Sequence, residues 1–256
     1  MALRLDETGF GDIKIWQDTE GFCYGVDAVL LADFAARSIS EKHRKCERLA
    51  DLGTGNGIVP LVLSHKTGIP EIWGIEVQRA SYELALKNAG LNGLSGRVGF
   101  VLDDVRRIAA EGFVAGNKID AGRFDAVTSN PPYTKPAGGI PSGNEAVRIA
   151  RHEVLADLDD FVGAAALLLR DKGDFYMVHR PSRLVDICDA CRRVHLEPKE
   201  LRFVSGKPME KANILLIHCV KNGNRELSVL KPLSVRNADG DYSEEMLCIY
   251  ERTNRK

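Results

Sequence analysis

Residues 49–61 read Leu-Ala-Asp-Leu-Gly-Thr-Gly-Asn-Gly-Ile-Val-Pro-Leu. Leu49, Ala50 and Leu52 read as the end of a buried strand, with Asp51 where it stops. Gly53, Gly55 and Gly57 follow at every second position, and Ile58, Val59, Leu61 and Leu63 then open a helical pattern. A strand, a glycine turn and a helix bring backbone N–H groups close to a ligand at the helix N-terminus. The spacing is G-x-G-x-G, whereas a dinucleotide fingerprint is G-x-G-x-x-G, and no lysine follows as a phosphate loop requires. A carboxylate two residues ahead of the glycines suits a ligand bearing an ammonium group better than a pyrophosphate. The competing reading is a plain glycine-rich turn.

Downstream, the same punctuation recurs. Residues 72–76 (IWGIE) read as a second strand ending in Glu76, about 20 residues past the glycines, where an acidic side chain accepts both hydroxyls of a ribose. Residues 81–89 continue as a helix, and 97–102 (RVGFVL) form a third strand ending in Asp103 and Asp104. Residues 124–129 (FDAVTS) form a fourth, followed by Asn130-Pro131-Pro132-Tyr133. Four strand ends carrying carboxylates or amides point to one crevice, which is where doubly wound sheets bind ligands. Beyond them, the pattern predicts a helix over 157–170, a strand over 174–178, a helix over 184–194 and a strand over 214–220. Past Asn222 the chain is polar and weakly patterned.

Upstream, 12–16 alternates as a short strand, and 28–32 begins a helix that Asp27 could cap. The glycines and aromatics of 21–25 would equally suit a lid over a ligand. Residues 136–144 (PAGGIPSGN) are too rich in Gly and Pro for regular structure and read as a gating loop or a plain linker.

Composition sets the frame. The chain has 256 residues, 44% apolar and 28% charged, enough for one large α/β domain. No run reaches the roughly 18 apolar residues of a membrane span, and the start lacks a signal core, so a cytoplasmic protein is expected. Six cysteines are scattered apart from Cys188 and Cys191, which fall in a helical pattern with no second pair, so reduced thiols are expected in place of zinc. Net charge is −1, yet from Arg170 to Arg236 there are 14 Lys/Arg against 8 Asp/Glu. A polyanionic substrate would use that bias, although solvated faces also produce it.

In Asn130-Pro131-Pro132-Tyr133 the prolines stiffen the turn and hold the Asn130 amide and the Pro131 carbonyl in place. Together they offer two acceptors to one –NH2 group. Taking both N–H bonds of a conjugated amine turns its lone pair toward an electrophile, through positioning rather than strong base. Tyr133 offers a face for stacking on a base.

Taken in order, 51–57, Glu76, Asp103-Asp104 and 130–133 resemble the motifs of class I S-adenosylmethionine-dependent methyltransferases, with NPPY marking the branch that methylates amino groups. GFCYGVDAVLLADFA (21–35), EAVRIARHEVLADLDD (145–160), VHRPSRLVDI (178–187), RFVSGKPMEKANILLI (202–217) and LKPLSV (230–235) resemble the bacterial tRNA(Val) adenine-N6-methyltransferase family, so the likeness spans nearly the whole chain. It implies an α/β fold built on a doubly wound, mostly parallel seven-stranded sheet of the Rossmann-like class I type. Residues 1–45 would be an N-terminal segment packing over the cofactor site, and 46–256 the methyltransferase domain, in one globular unit.

The resemblance also implies roles. Asp51, Gly53 and Gly55 would hold the methionine end of S-adenosyl-L-methionine, Glu76 its ribose, and Asp104 with Val105 its adenine, Asp103 being the alternative. Tyr24 and Asp27 would close over the cofactor. Asn130 and Pro131 would grip the target amine, while Pro132 and Tyr133 would border a flipped base. Arg202, Lys207 and Lys211 are candidate contacts to tRNA. No metal is expected, and the protein would be a monomer or weak dimer. Thr134 departs from the second aromatic that many adenine-directed members carry. His152, Glu153, His179 and Arg180 fall in similar segments without an assigned role. Two rivals are a glutamine methyltransferase acting on a protein release factor and a non-catalytic RNA-binding or cofactor-binding protein. The first usually carries a sizeable helical domain ahead of the glycine loop, where under fifty residues stand here. The intact NPPY argues against the second.

Overall fold

The structure is a computed structural model and describes residues 2–21, 23–42, 44–111, 120–133 and 156–252. Phe22, Thr134, His152, Glu153 and the loop 136–144 lie outside the described residues.

A hairpin of β1 (Leu3–Glu7) and β2 (Lys14–Asp18) leads to helix α1 (Val26–Glu41). There follow β3 (Arg48–Leu52), α2 (Ile58–Lys66), β4 (Glu71–Glu76), α3 (Arg79–Leu91), β5 (Val98–Leu102), α4 (Val105–Glu111) and β6 (Phe124–Ser129). The chain continues through α5 (Leu158–Leu168), β7 (Leu169–His179), α6 (Leu184–Arg193), β8 (Leu196–Ser205) and β9 (Ile214–Lys221). Two short strands, β10 (Ser228–Val229) and β11 (Leu233–Ser234), and helix α7 (Glu244–Ile249) complete it.

The seven long strands lie in the order β8-β9-β7-β6-β3-β4-β5, and β10 and β11 both pair with β8. Every pairing from β5 to β7 is parallel, and β9 alone runs antiparallel, to β7 and β8. β6 is buried at all six positions, as expected of a central strand covered on both faces. One core layer joins α1, α2, α3, the hairpin and α7, and the other joins α4, α5 and α6. After β5 the chain crosses back over β3 to place β6 on its other side. The strand order therefore reverses between β3 and β6, opening a crevice beyond their carboxyl ends.

Sequence patterning located β3 to β6 with α2 and α3 around this crevice, but it gave no element for β1 or for α4, which opens at Val105. It missed β8, whose apolar residues are interrupted by Glu197, Pro198, Lys199, Glu200 and Arg202. Near the sheet's edge, one side of the strand takes charges freely. It also missed α7, although Met246 and Ile249 are buried there. The helix expected over 157–170 stops at Leu168, because the chain runs directly into β7. Its start is fixed by a capping box between Asp157 and Asp160.

Candidate active site

Gly53, Gly55 and Gly57 have φ of 70°, 58° and 87°, the left-handed region in which side chains are strained. Backbone freedom is only half of the requirement. A Cβ on Gly57 would stand 2.9 Å from Phe100, and one on Gly53 3.1 Å from Phe161. The loop folds onto β4, with Gly53 and Thr54 N–H both donating to Ile75 O.

Asp51 is 2% exposed at the end of β3. Burial pushes its carboxyl up to about 7, with Glu76 adding to the rise and the Thr54 and Thr128 side chains opposing it. The Thr128 hydroxyl donates to Asp51 Oδ1 at 2.7 Å. Glu76 ends β4, and its Oε2 accepts from Gly55 N–H at 2.9 Å and its Oε1 from Gln78 N–H at 2.8 Å. Its carboxyl is also raised by burial, against these backbone donors. Asp51 and Glu76 are thus two buried carboxylates at adjacent strand ends, with no described cation on either.

Asp103 and Asp104 divide the end of β5 differently. Asp103 is buried, accepts from Asp104 N–H and pairs with Arg107 at 2.7 Å. Asp104 accepts from Arg106 N–H at the start of α4 and pairs with the Arg106 guanidinium, which lowers its pKa. Val105 is buried beside them.

Across the crevice, Asn130 is half-buried, Pro131 buried and Pro132 exposed. The Tyr133 hydroxyl stands 2.8 Å from Asn130 Oδ1 and 2.8 Å from Asp27 Oδ2. Burial and the Asp27 charge push its ionisation far above the ordinary tyrosine range. The Tyr133 ring meets the edge of His179 at 5.1 Å and the Arg180 guanidinium at 4.7 Å. Burial, Arg183 and Arg180 push His179 down to about 4. Its Nδ1 accepts from Arg180 N–H at 2.8 Å, so the neutral ring carries its proton on Nε2. Asp27 therefore joins the NPPY turn, whereas Tyr24 N–H is held by Gln17 Oε1 in the hairpin.

Of the expected RNA contacts, Lys207 and Lys211 are exposed on the loop between β8 and β9. Arg202 points elsewhere. Its Nη2 meets both Glu245 oxygens at 2.7 and 2.8 Å, and its side chain is 14% exposed, so it clasps α7 to β8.

A family model described as "Methyltransferase small domain" matches residues 28–184, a span that contains the glycine loop, Glu76, Asp103 and the NPPY turn. The chain belongs to this family. Among relatives of this methyltransferase, a Porphyromonas gingivalis protein named tRNA1(Val) (adenine(37)-N6)-methyltransferase is 29% identical over 64% of this chain and 60% of its own length. A protein of the same name from Phocaeicola vulgatus is 24% identical over 94% of each chain. The methyltransferase spans less than two thirds of the first and nearly all of the second. A solved structure, a predicted O-methyltransferase from Agrobacterium tumefaciens, superposes with a TM-score of 0.67 at 21% identity, covering 88% of this chain and 96% of that one. That likeness shows a shared fold.

Sequence reading overlooked Thr128 and Asn88 in this methyltransferase. Thr128 sits on β6, in register with Asp51 of β3. Asn88, fully buried on α3, accepts from Trp16 N–H at 2.7 Å and donates to Trp16 O and Asn56 O. A polar residue on the apolar face of α3 was the available signal.

Proposed function

We propose that this methyltransferase moves a methyl group from S-adenosylmethionine to the N6 amine of an adenine in tRNA, in the anticodon loop of tRNA(Val). The carrying observation is the pairing of β3 with β6, in which the buried Asp51 stands opposite Thr128, two residues before the Asn130-Pro131 turn. The residues present fit the cofactor. The Asn56 amide in the glycine loop is buried with neither of its polar atoms partnered among the described residues. Asp51 would face the cationic methionine end with Gly53 and Gly55, Glu76 the ribose hydroxyls, and Asp104 with Val105 the adenine. Asp104 is the more accessible carboxylate of its pair, at 26% side-chain exposure against 5% for Asp103. Residues 1–45 would cover this site.

When bound, the cofactor supplies an electrophilic methyl on a sulfonium. Asn130 Oδ1 and Pro131 O accept the two amine hydrogens and aim the nitrogen lone pair. The alkylated amine then loses a proton readily, so no general base is assigned. Lys207 and Lys211 would meet phosphates. Incubating bulk tRNA with the protein and labelled cofactor, followed by nucleoside mass spectrometry, tests the reading. N6-methyladenosine should appear only with active protein. Label on a protein and none on RNA would redirect it to an amide substrate.

A further inference from the structure

Resting on that reading of Asn130, we infer that Asp27 is a positioning residue that keeps the Asn130 oxygen open for the target amine. The Tyr133 hydroxyl has one hydrogen, yet it stands 2.8 Å from acceptors on both sides. It cannot donate fully to both. An ionised carboxylate is a stronger acceptor than an amide oxygen, so the hydrogen belongs to Asp27. If it went to Asn130, it would take one of the two lone pairs on the oxygen that an incoming amine needs and weaken the other as an acceptor.

The carboxylate is held for this task. Asp27 Oδ1 accepts from Ala28 N–H at 2.9 Å, leaving Oδ2 for Tyr133. A Cβ at position 25 would lie 2.6 Å from Oδ1, so Gly25 leaves it room. The other groups against the tyrosine do not compete for its proton. Arg180 is a cation at the ring, and His179 is neutral with its edge to the ring. Asp27 also lies on α1, 106 residues before Tyr133, so the contact couples the N-terminal segment to the β6 turn.

Asp27→Asn reverses the bond. Ala28 N–H still demands an oxygen, so the new amide turns its –NH2 toward Tyr133. The hydroxyl then accepts from residue 27 and donates to Asn130. Methyl transfer in single turnover at saturating cofactor should fall about tenfold, the scale of one hydrogen bond. Adding Tyr133→Phe removes the blocking hydrogen, so Asp27→Asn/Tyr133→Phe should transfer as fast as Tyr133→Phe alone. An equal loss from Asp27→Asn in both backgrounds, or no loss at all, would overturn the inference. A second measurement needs no turnover. In ultraviolet difference titration against Tyr133→Phe, the Tyr133 ionisation should move to lower pH in Asp27→Asn than in wild type. An unmoved titration also overturns the inference. Wild-type protein that methylates no tRNA would refute the substrate reading, leaving the tyrosine titration to decide the role of Asp27.

Discussion

The Thr128 hydroxyl donates to Asp51 Oδ1 at 2.7 Å across the seam between β3 and β6. It joins the two halves of the crevice, because Asp51 lies at the end of β3 and Thr128 lies two residues before Asn130. With Thr54, it also opposes the effect of burial on Asp51, whose carboxyl still rises to about 7.

Asp51 therefore links pH to both ligand binding and stability. The folded state holds this proton up to about 7, while an unfolded carboxylate loses it near 4. The native state binds more protons between those values, so this group's contribution to stability is full below about 4 and declines as pH rises through 7. Asp51→Asn should raise the thermal midpoint at pH 8 and change it little at pH 4. A cationic ligand favours the ionised form, so wild-type cofactor affinity should climb from pH 6 to 8 with proton release. Calorimetry in buffers of different ionisation enthalpy reads that release, which Asp51→Asn should abolish together with most of the affinity.

Asn130→Ala should leave cofactor affinity nearly intact, because the residues proposed to hold the cofactor lie on other strand ends. Methyl transfer should fall by about 10²–10³, the scale for one preorganised polar contact in a transition state. Full turnover by this variant would sink the amine-gripping role of Asn130.

Removing the Asn88 side chain strands Trp16 N–H and O as well as Asn56 O. Asn88→Ala should cost about 2–4 kcal/mol in urea denaturation, the scale of several buried groups losing their partners. Amide exchange should quicken first in β2 around Trp16, since Asn88 supplies half of its side-chain bonds to α3 and Asn92, at Lys14, the other half.

Lys207→Ala with Lys211→Ala should weaken tRNA binding and flatten the slope of log K against log salt by roughly 0.7 for each phosphate no longer neutralised. Arg202→Ala should lower stability by releasing Glu245, with little change in that slope. A reversed pattern would move the docking surface to the other side of β8.

Which strand ends meet was legible before any coordinates. Asp51, the three glycines, Glu76 and the NPPY turn each punctuate a local pattern, since strand and helix periods and positive-φ glycines are properties of adjacent residues. The charge-interrupted β8 was illegible, because its charged positions break the local alternation and only its pairing with β9, β10 and β11 makes it a strand. Arg202 likewise read as a free cation, until α7 brought Glu245, 43 residues on, against it. The sequence by itself determined the family, the fold class and the residue types at the crevice. Tertiary structure alone decided that Asp27 and Asn130 share one tyrosine hydroxyl and that Thr128 meets Asp51. Hydrogen bonds are short and directional, and no local pattern encodes a 2.8 Å approach between residues 106 positions apart.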